Sequence, residues 1–166
     1  MAVVGDPAAR SVELDAGANW DYLARLRDTW RGTLVVKGVI SAQDASRIKS
    51  LGIDGVYVSN HGGRQLDAAP ATIDALRRVR EELGPDCPII CDGGVRSGED
   101  VVKMIAAGAN FAMLGRPFLY ATGAFGQAGA MHLATLIREE MEIAAAQIGA
   151  SEIGQFDSRV IWKGAE

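Results

Sequence analysis

Residues 34–58, LVVKGVISAQDASRIKSLGIDGVYV, decide the fold. Leu34-Val35-Val36 is a short apolar run and reads as a buried strand. Ser41-Ala-Gln-Asp44 has the make-up of a capped helix start, and the helix behind it carries Ala45, Ile48 and Leu51 on one side. Gly52 falls where a helix ends in a left-handed residue, and Gly55 to Val58 is the next strand. Strand, capped helix, glycine, strand is the repeating unit of a parallel sheet, because parallel neighbours need a crossover connection.

The unit occurs twice. Lys37 to Asp44 (KGVISAQD) aligns with Gly93 to Asp100 (GGVRSGED) at an offset of 56, which continues from Gly52 to Gly108 and from Ser59 to Gly115. Matched glycines and N-cap serines imply matched turns. Around these units, Trp20–Trp30 reads as a helix. Pro70 opens another, with Ile73, Leu76, Val79 and Leu83 inward, and Gly84-Pro85 stops it. Pro88–Cys91 is a third strand, Gly98–Ala107 a helix, Phe111–Leu114 a fourth strand, and Gly126–Gly149 a long helix with Ala130, Ala134, Ile137 and Met141 on one face. Met104, Met113, Met131 and Met141 fall on apolar patterns and are expected in the core. The expected class is α/β: a parallel (β/α) barrel type with about four βα units and a long C-terminal helix, the repeat favouring a barrel over a doubly wound sheet.

With 166 residues, 48% of them hydrophobic, the chain is expected to form one globular unit. Residues 1–19 are expected to be mobile, 20–156 to hold the barrel units and 157–166 to be a tail. The net charge is −4, with Lys and Arg scattered among Asp and Glu, a pattern that recruits no nucleic acid. No apolar run reaches about eighteen residues, so no membrane segment is expected. Met1–Arg10 lacks a secretory layout, which makes the cytoplasm the expected location. Cys87 and Cys91, roughly 13 Å apart on an extended segment, cannot form a disulfide. His61 and His132 have no ligand-like neighbours, so no metal site is expected.

The loops after the four strands carry the chemistry, since barrels gather those loops on one face. They offer Lys37; Ser59, Asn60, His61 and Arg64; Asp92 to Arg96; and Gly115-Arg116. Gly93-Gly94 and Gly115 let backbone N–H groups approach an anion, and Arg96 and Arg116 can fork onto its oxygens. Alone, each loop is equally a glycine turn beside a solvated arginine; two in succession favour a phosphate site. A lone loop histidine is more often structural. Gly62-Gly63, however, leaves room for a flat ligand beside His61, and Arg64 can hold a carboxylate. Lys37 has two readings, a Schiff-base amine or a fixed positive charge near an anionic cofactor. Asn60, Gln65 and Asp67 are expected to brace the loop through backbone hydrogen bonds, and Tyr57 and Tyr120 to pack.

Taken together, LVVKGV, DGVYVSNHGGRQLD, PATIDAL, CDGGVRSGEDVVKMIAAGA and MLGRPFLY resemble the FMN-dependent α-hydroxy-acid oxidase and dehydrogenase family, over about Trp20 to Phe156. The resemblance implies FMN as cofactor and a small 2-hydroxy acid, of the glycolate, lactate or mandelate type, as substrate. It implies that Lys37 and Ser59 contact the flavin, with Lys37 stabilising the reduced anion. His61 would be the base, and Arg64 would bind the substrate carboxylate. Asp92, Gly93, Gly94, Val95 and Arg96, with Gly115 and Arg116, would hold the ribityl chain and phosphate. The likeness covers only strands five to eight of the family's barrel. The aspartate that orients the base, a substrate tyrosine and a second arginine belong to the other half. Open sheet edges then imply a homo-oligomer or pairing with an N-terminal half.

Overall fold

The computed structural model describes residues 19–161. The expectation of a mobile start therefore lies outside the described residues except at Asn19, as does that of a tail beyond Ile161. Helix α1 (Trp20–Thr29) begins at Asn19, whose side chain accepts from Tyr22 N at 2.9 Å. Then come β1 (Val35–Val39), α2 (Ala42–Ser50), β2 (Gly55–Val58), α3 (Thr72–Leu83), β3 (Ile89–Asp92), α4 (Gly98–Ala106), β4 (Phe111–Met113) and α5 (Arg116–Gln147).

The internal repeat is structural. Ser41 and Ser97 cap α2 and α4 alike, each hydroxyl accepting at 3.2 Å from the N–H three residues on, Asp44 and Asp100. Both helices are nine residues long, and Gly52 and Gly108 behind them have φ of 72° and 115°. At those angles a side chain is strained, which is why the same residue type recurs there.

The four strands form one parallel sheet in the order β1-β2-β3-β4. Side chains alternate across a strand, so its two faces have different fates. Val56, Val58, Ile89 and Cys91 point to the helices and are buried with Leu76 and Val79. On the other face Lys37, Tyr57, Ile90 and Phe111 stand side by side in register, with Asp92 and Met113 beyond them. No helix covers that face among the described residues, and Phe111 is 59% exposed.

Three expectations need correction. Pro70 does not open α3: the helix begins at Thr72, because Thr72 turns inward and donates its hydroxyl to Gly93 O at 3.1 Å. The last helix begins ten residues before Gly126, at Arg116, and breaks at Phe125 and Gly126, where φ/ψ leave helical values. Met113 and Met131 are exposed, Met113 on the uncovered face and Met131 on α5, whereas Met104 is buried as expected.

Arg80 on α3 ties the layers together. Its guanidinium donates to the carbonyls of Gly108, Gly84, Pro85 and Cys87 and, at 2.7 Å, to Asn110 Oδ1. Asn110 Oδ1 also accepts from Ile89 N at 2.8 Å, so one side chain fixes both the entry to β3 and the turn before β4. Arg80→Ala should cost about 2–4 kcal/mol, since charged hydrogen bonds contribute about 1.5–3 kcal/mol each and not all are independent. Urea unfolding of both proteins measures the difference.

Candidate active site

The carboxyl ends of the four strands open into one cavity of about 420 Å³. Lys37, His61, Arg64, Asp92, Arg96 and Arg116 all contribute to its wall, with the backbone of Gly62 and of residues 93–95 and the apolar groups of Met113, Pro117 and Leu119. Charged residues up to 79 positions apart in sequence, Lys37 to Arg116, thus meet at one rim.

Electrostatically the cavity is cationic. Four cationic side chains face the cavity against one carboxylate, on a chain whose net charge is −4. Arg64, Arg96 and Arg116 make no side-chain ion pair or hydrogen bond among the described residues. Gly93 and Gly94 have φ of 99° and 82°, turning successive backbone groups into a concave loop. Beside it, Gly115 precedes the first turn of α5, whose free N–H groups favour negative charge.

A second group of side chains lies deeper. Lys37 Nζ donates to Ser59 Oγ at 2.7 Å and lies 3.2 Å from Asp92 Oδ2. Tyr57 donates to the same Asp92 oxygen at 2.9 Å, while Asp92 Oδ1 is buried and has no partner among the described residues. Burial, and after it the donation to Asp92, pushes the Tyr57 phenol well above the usual tyrosine range. Cys91, behind the sheet, is pushed up to about 12 by burial and is inert as a nucleophile at neutral pH.

His61 owes its position to an unusual backbone. It has φ of 56°, and Gly62 and Gly63 follow at 68° and 73°, three consecutive left-handed residues. Such a conformation in a non-glycine residue costs about 1 kcal/mol or more and persists only when neighbours impose it. Ser59 Oγ accepts from His61 N at 3.1 Å. Asn60 Oδ1 accepts from Gly62 N at 3.0 Å, and its amide donates to Pro70 O. The ring is fixed by Gln65, whose Oε1 lies 2.9 Å from Nδ1. An amide oxygen only accepts, so this contact requires a proton on Nδ1, which in the neutral ring leaves the lone pair on Nε2. Nε2 is buried and has no hydrogen-bond partner among the described residues. Burial first, then the charge on Lys37, holds the His61 pKa below the usual histidine value; Asp92 opposes this.

Of the residues singled out in the sequence, Lys37, His61, Arg64, Asp92, Gly93, Gly94, Val95, Arg96, Gly115 and Arg116 do line this one cavity. Val95 does so through its backbone, its side chain being in the core. Ser59 is 1% exposed and stands behind Lys37 and His61, its hydroxyl engaged by both. Sequence reading missed two contributors. Gln65 braces the imidazole itself and not the backbone, and Tyr57 joins the Lys37–Asp92 pair. The available signal was register: Tyr57 lies opposite Lys37 on the uncovered face.

The family of FMN-dependent dehydrogenases matches residues 3–163. An L-lactate dehydrogenase of Pectobacterium atrosepticum is 43% identical over 148 residues, 89% of this chain and 38% of that protein. One of Caulobacter sp. K31 is 43% identical over 149 residues, 90% and 39% of the two chains. Among solved structures, an (S)-mandelate dehydrogenase superposes with a TM-score of 0.88 at 40% identity, covering 93% of this chain and 43% of that one. Another (S)-mandelate dehydrogenase, described as a monotopic membrane protein, gives 0.86 at 40% identity, covering 90% and 40%. A mandelate oxidase gives 0.80 at 37% identity, covering 84% and 42%. The chain therefore spans about two fifths of the length of these relatives, and its four units are part of a barrel. No helix among the described residues is long and apolar enough to cross a membrane.

The two adjacent loop glycines differ in a testable way. A Cβ on Gly93 would lie 2.6 Å from Thr72 Oγ1, whereas one on Gly94 would meet nothing within 4 Å. Gly94→Ala should cost only the backbone strain, about 1–2 kcal/mol, and Gly93→Ala about 2 kcal/mol more by overpacking. Thermal melts of the two variants give the comparison.

Proposed function

We propose, from the premise that this chain belongs to the FMN-dependent dehydrogenase family, that its cavity is the part of a 2-hydroxy-acid oxidising site that holds FMN and removes the substrate proton. The observation that carries this reading is the pair of buried atoms without partners among the described residues, His61 Nε2 and Asp92 Oδ1, on two residues that line a cavity with four cationic side chains. Buried polar atoms are ordinarily partnered, and these two match a ligand that offers both a proton and hydroxyl donors.

The residues suit FMN. Arg96 and Arg116, the N–H groups of the Gly93-Gly94 loop and the start of α5 would bind the phosphate. Asp92 Oδ1 would accept from ribityl hydroxyls, and Lys37, braced by Ser59, would set positive charge against the flavin ring. The cofactor, when bound, supplies the acceptor for two electrons. Arg64, whose side chain has no partner among the described residues, would clamp the substrate carboxylate. His61 Nε2 would take the substrate's proton, Gln65 keeping Nδ1 protonated so that only Nε2 is basic. Lactate and mandelate, the acids named for the relatives, are the first substrates to try. Two buried free thiols, Cys87 and Cys91, accord with a cytoplasmic location.

A second reading has its own observation, the uncovered inner face with Phe111 and Met113. On it the chain turns over nothing until further strands close the barrel, whether from an N-terminal half or from another copy. Sedimentation with FMN separates the two: a yellow, active species supports the first, and a colourless aggregate supports the second.

The pH profile follows from the depressed His61 pKa. The base is neutral at pH 7 and stays so below the ordinary histidine midpoint of about 6.5. The acid limb of kcat/KM should therefore fall below about pH 6.5 and be absent in His61→Gln, whose kcat should drop by about 10²–10⁴. Arg64→Ala should act chiefly on KM, by about tenfold to a hundredfold. Stopped-flow bleaching of the flavin by L-lactate and by (S)-mandelate measures all three, and a wild-type chain that takes up no FMN refutes the assignment.

A further inference from the structure

The uncovered face of the sheet is apolar along most of its row: Val35, Ile90, Phe111 and Met113 share it with Lys37 and Asp92. At Tyr57 packing alone would be served equally well by an aliphatic side chain. The hydroxyl instead makes one specific bond, to Asp92 Oδ2 at 2.9 Å, the oxygen that Lys37 Nζ approaches at 3.2 Å. The Tyr57 ring also lies beneath the ammonium, 4.7 Å from its centroid.

Two consequences follow from this geometry. With two donors on Oδ2, the Asp92 carboxylate is fixed in its plane, and Oδ1 is left without a hydrogen-bond partner among the described residues. The phenol also disperses part of the Asp92 charge, so Asp92 cancels less of the Lys37 charge. Lys37 has a third N–H beyond those directed at Ser59 and Asp92, and it lines the cavity.

We propose that Tyr57 is a positioning residue of the cofactor site: its hydroxyl turns Asp92 Oδ1 toward the bound flavin's polyol and leaves Lys37 with enough uncompensated charge to favour the reduced, anionic ring. This rests on the flavin reading above. It predicts an effect on the ratio of reduced to oxidised FMN affinity, which a purely structural tyrosine would leave unchanged.

The test uses the whole chain loaded with FMN. Oxidised FMN affinity is read from flavin fluorescence, and the midpoint potential from equilibration with reference dyes. Tyr57→Phe keeps the ring and removes the donor. It should lower the reduced-to-oxidised affinity ratio about tenfold, a fall of about 30 mV for a two-electron couple. Incorporating 3-fluorotyrosine at position 57 strengthens the donor and should move the potential upward, and it decides the matter if Tyr57→Phe does not fold. An unchanged potential in protein that binds FMN overturns the role of Tyr57 and leaves the flavin reading intact. A wild-type chain that binds no FMN removes both.

Discussion

Parallel pairing is the constraint on which everything else in this chain depends. Adjacent parallel strands cannot be joined by a hairpin, so each must be followed by a segment that carries the chain back across the sheet, and every carboxyl end then points the same way. Lys37 lies within β1, Asp92 ends β3, and His61 and Arg116 come just after β2 and β4, yet they share one cavity with no further device needed to gather them. The helices that make the return journey cover one face, where Val56, Val58, Ile89 and Cys91 form the core. The other face carries Lys37, Tyr57 and Asp92, whose polar ends stand at the candidate site.

That division explains how a chain with a net charge of −4 presents a cationic cavity. Acidic residues are used elsewhere as helix-start and loop groups, such as Asp100 accepting from Arg96 N at 3.0 Å and Asp54 holding Arg27. Arg80 is consumed by carbonyls at the opposite, amino-terminal end of the strands. The side chains of the rim arginines Arg64, Arg96 and Arg116 have no such partners among the described residues. Charge is segregated by position along the βα unit, which net charge cannot reveal.

Elements whose cause is local were legible in the sequence. Ser41 and Ser97 cap helices because a hydroxyl there reaches the N–H three residues on, and Gly52, Gly84 and Gly108 end helices because their φ is positive. The gathering of the site residues was legible for a different reason: strand ends converge in any parallel barrel. What escaped depended on partners remote in sequence. Thr72 is drawn inward by Gly93, which displaces the start of α3 from Pro70. Met113 sits on an apolar pattern that is real, but the pattern does not say whether anything covers it. Gln65 and Tyr57 look like loop and packing residues until the left-handed turn at His61 and the register with Lys37 bring their polar ends to bear.

The uncovered face also governs how strongly the site can act. The side chains of Lys37 and Asp92 retain 32% and 21% of their exposure, so water reaches the pair and screens its field. The lone pair of His61 Nε2 is already dry, and so is Asp92 Oδ1. Closing the remaining side of the barrel, over Phe111 and Met113, would remove water from the Lys37 ammonium while leaving the hydrogen bonds beneath it unchanged. The same charges would then act through a lower dielectric. The apolar residues that have no local partner are thus coupled to the chemistry: their burial would concentrate the field that the polar residues, fixed by Ser59, Tyr57 and Gln65, are already oriented to exert.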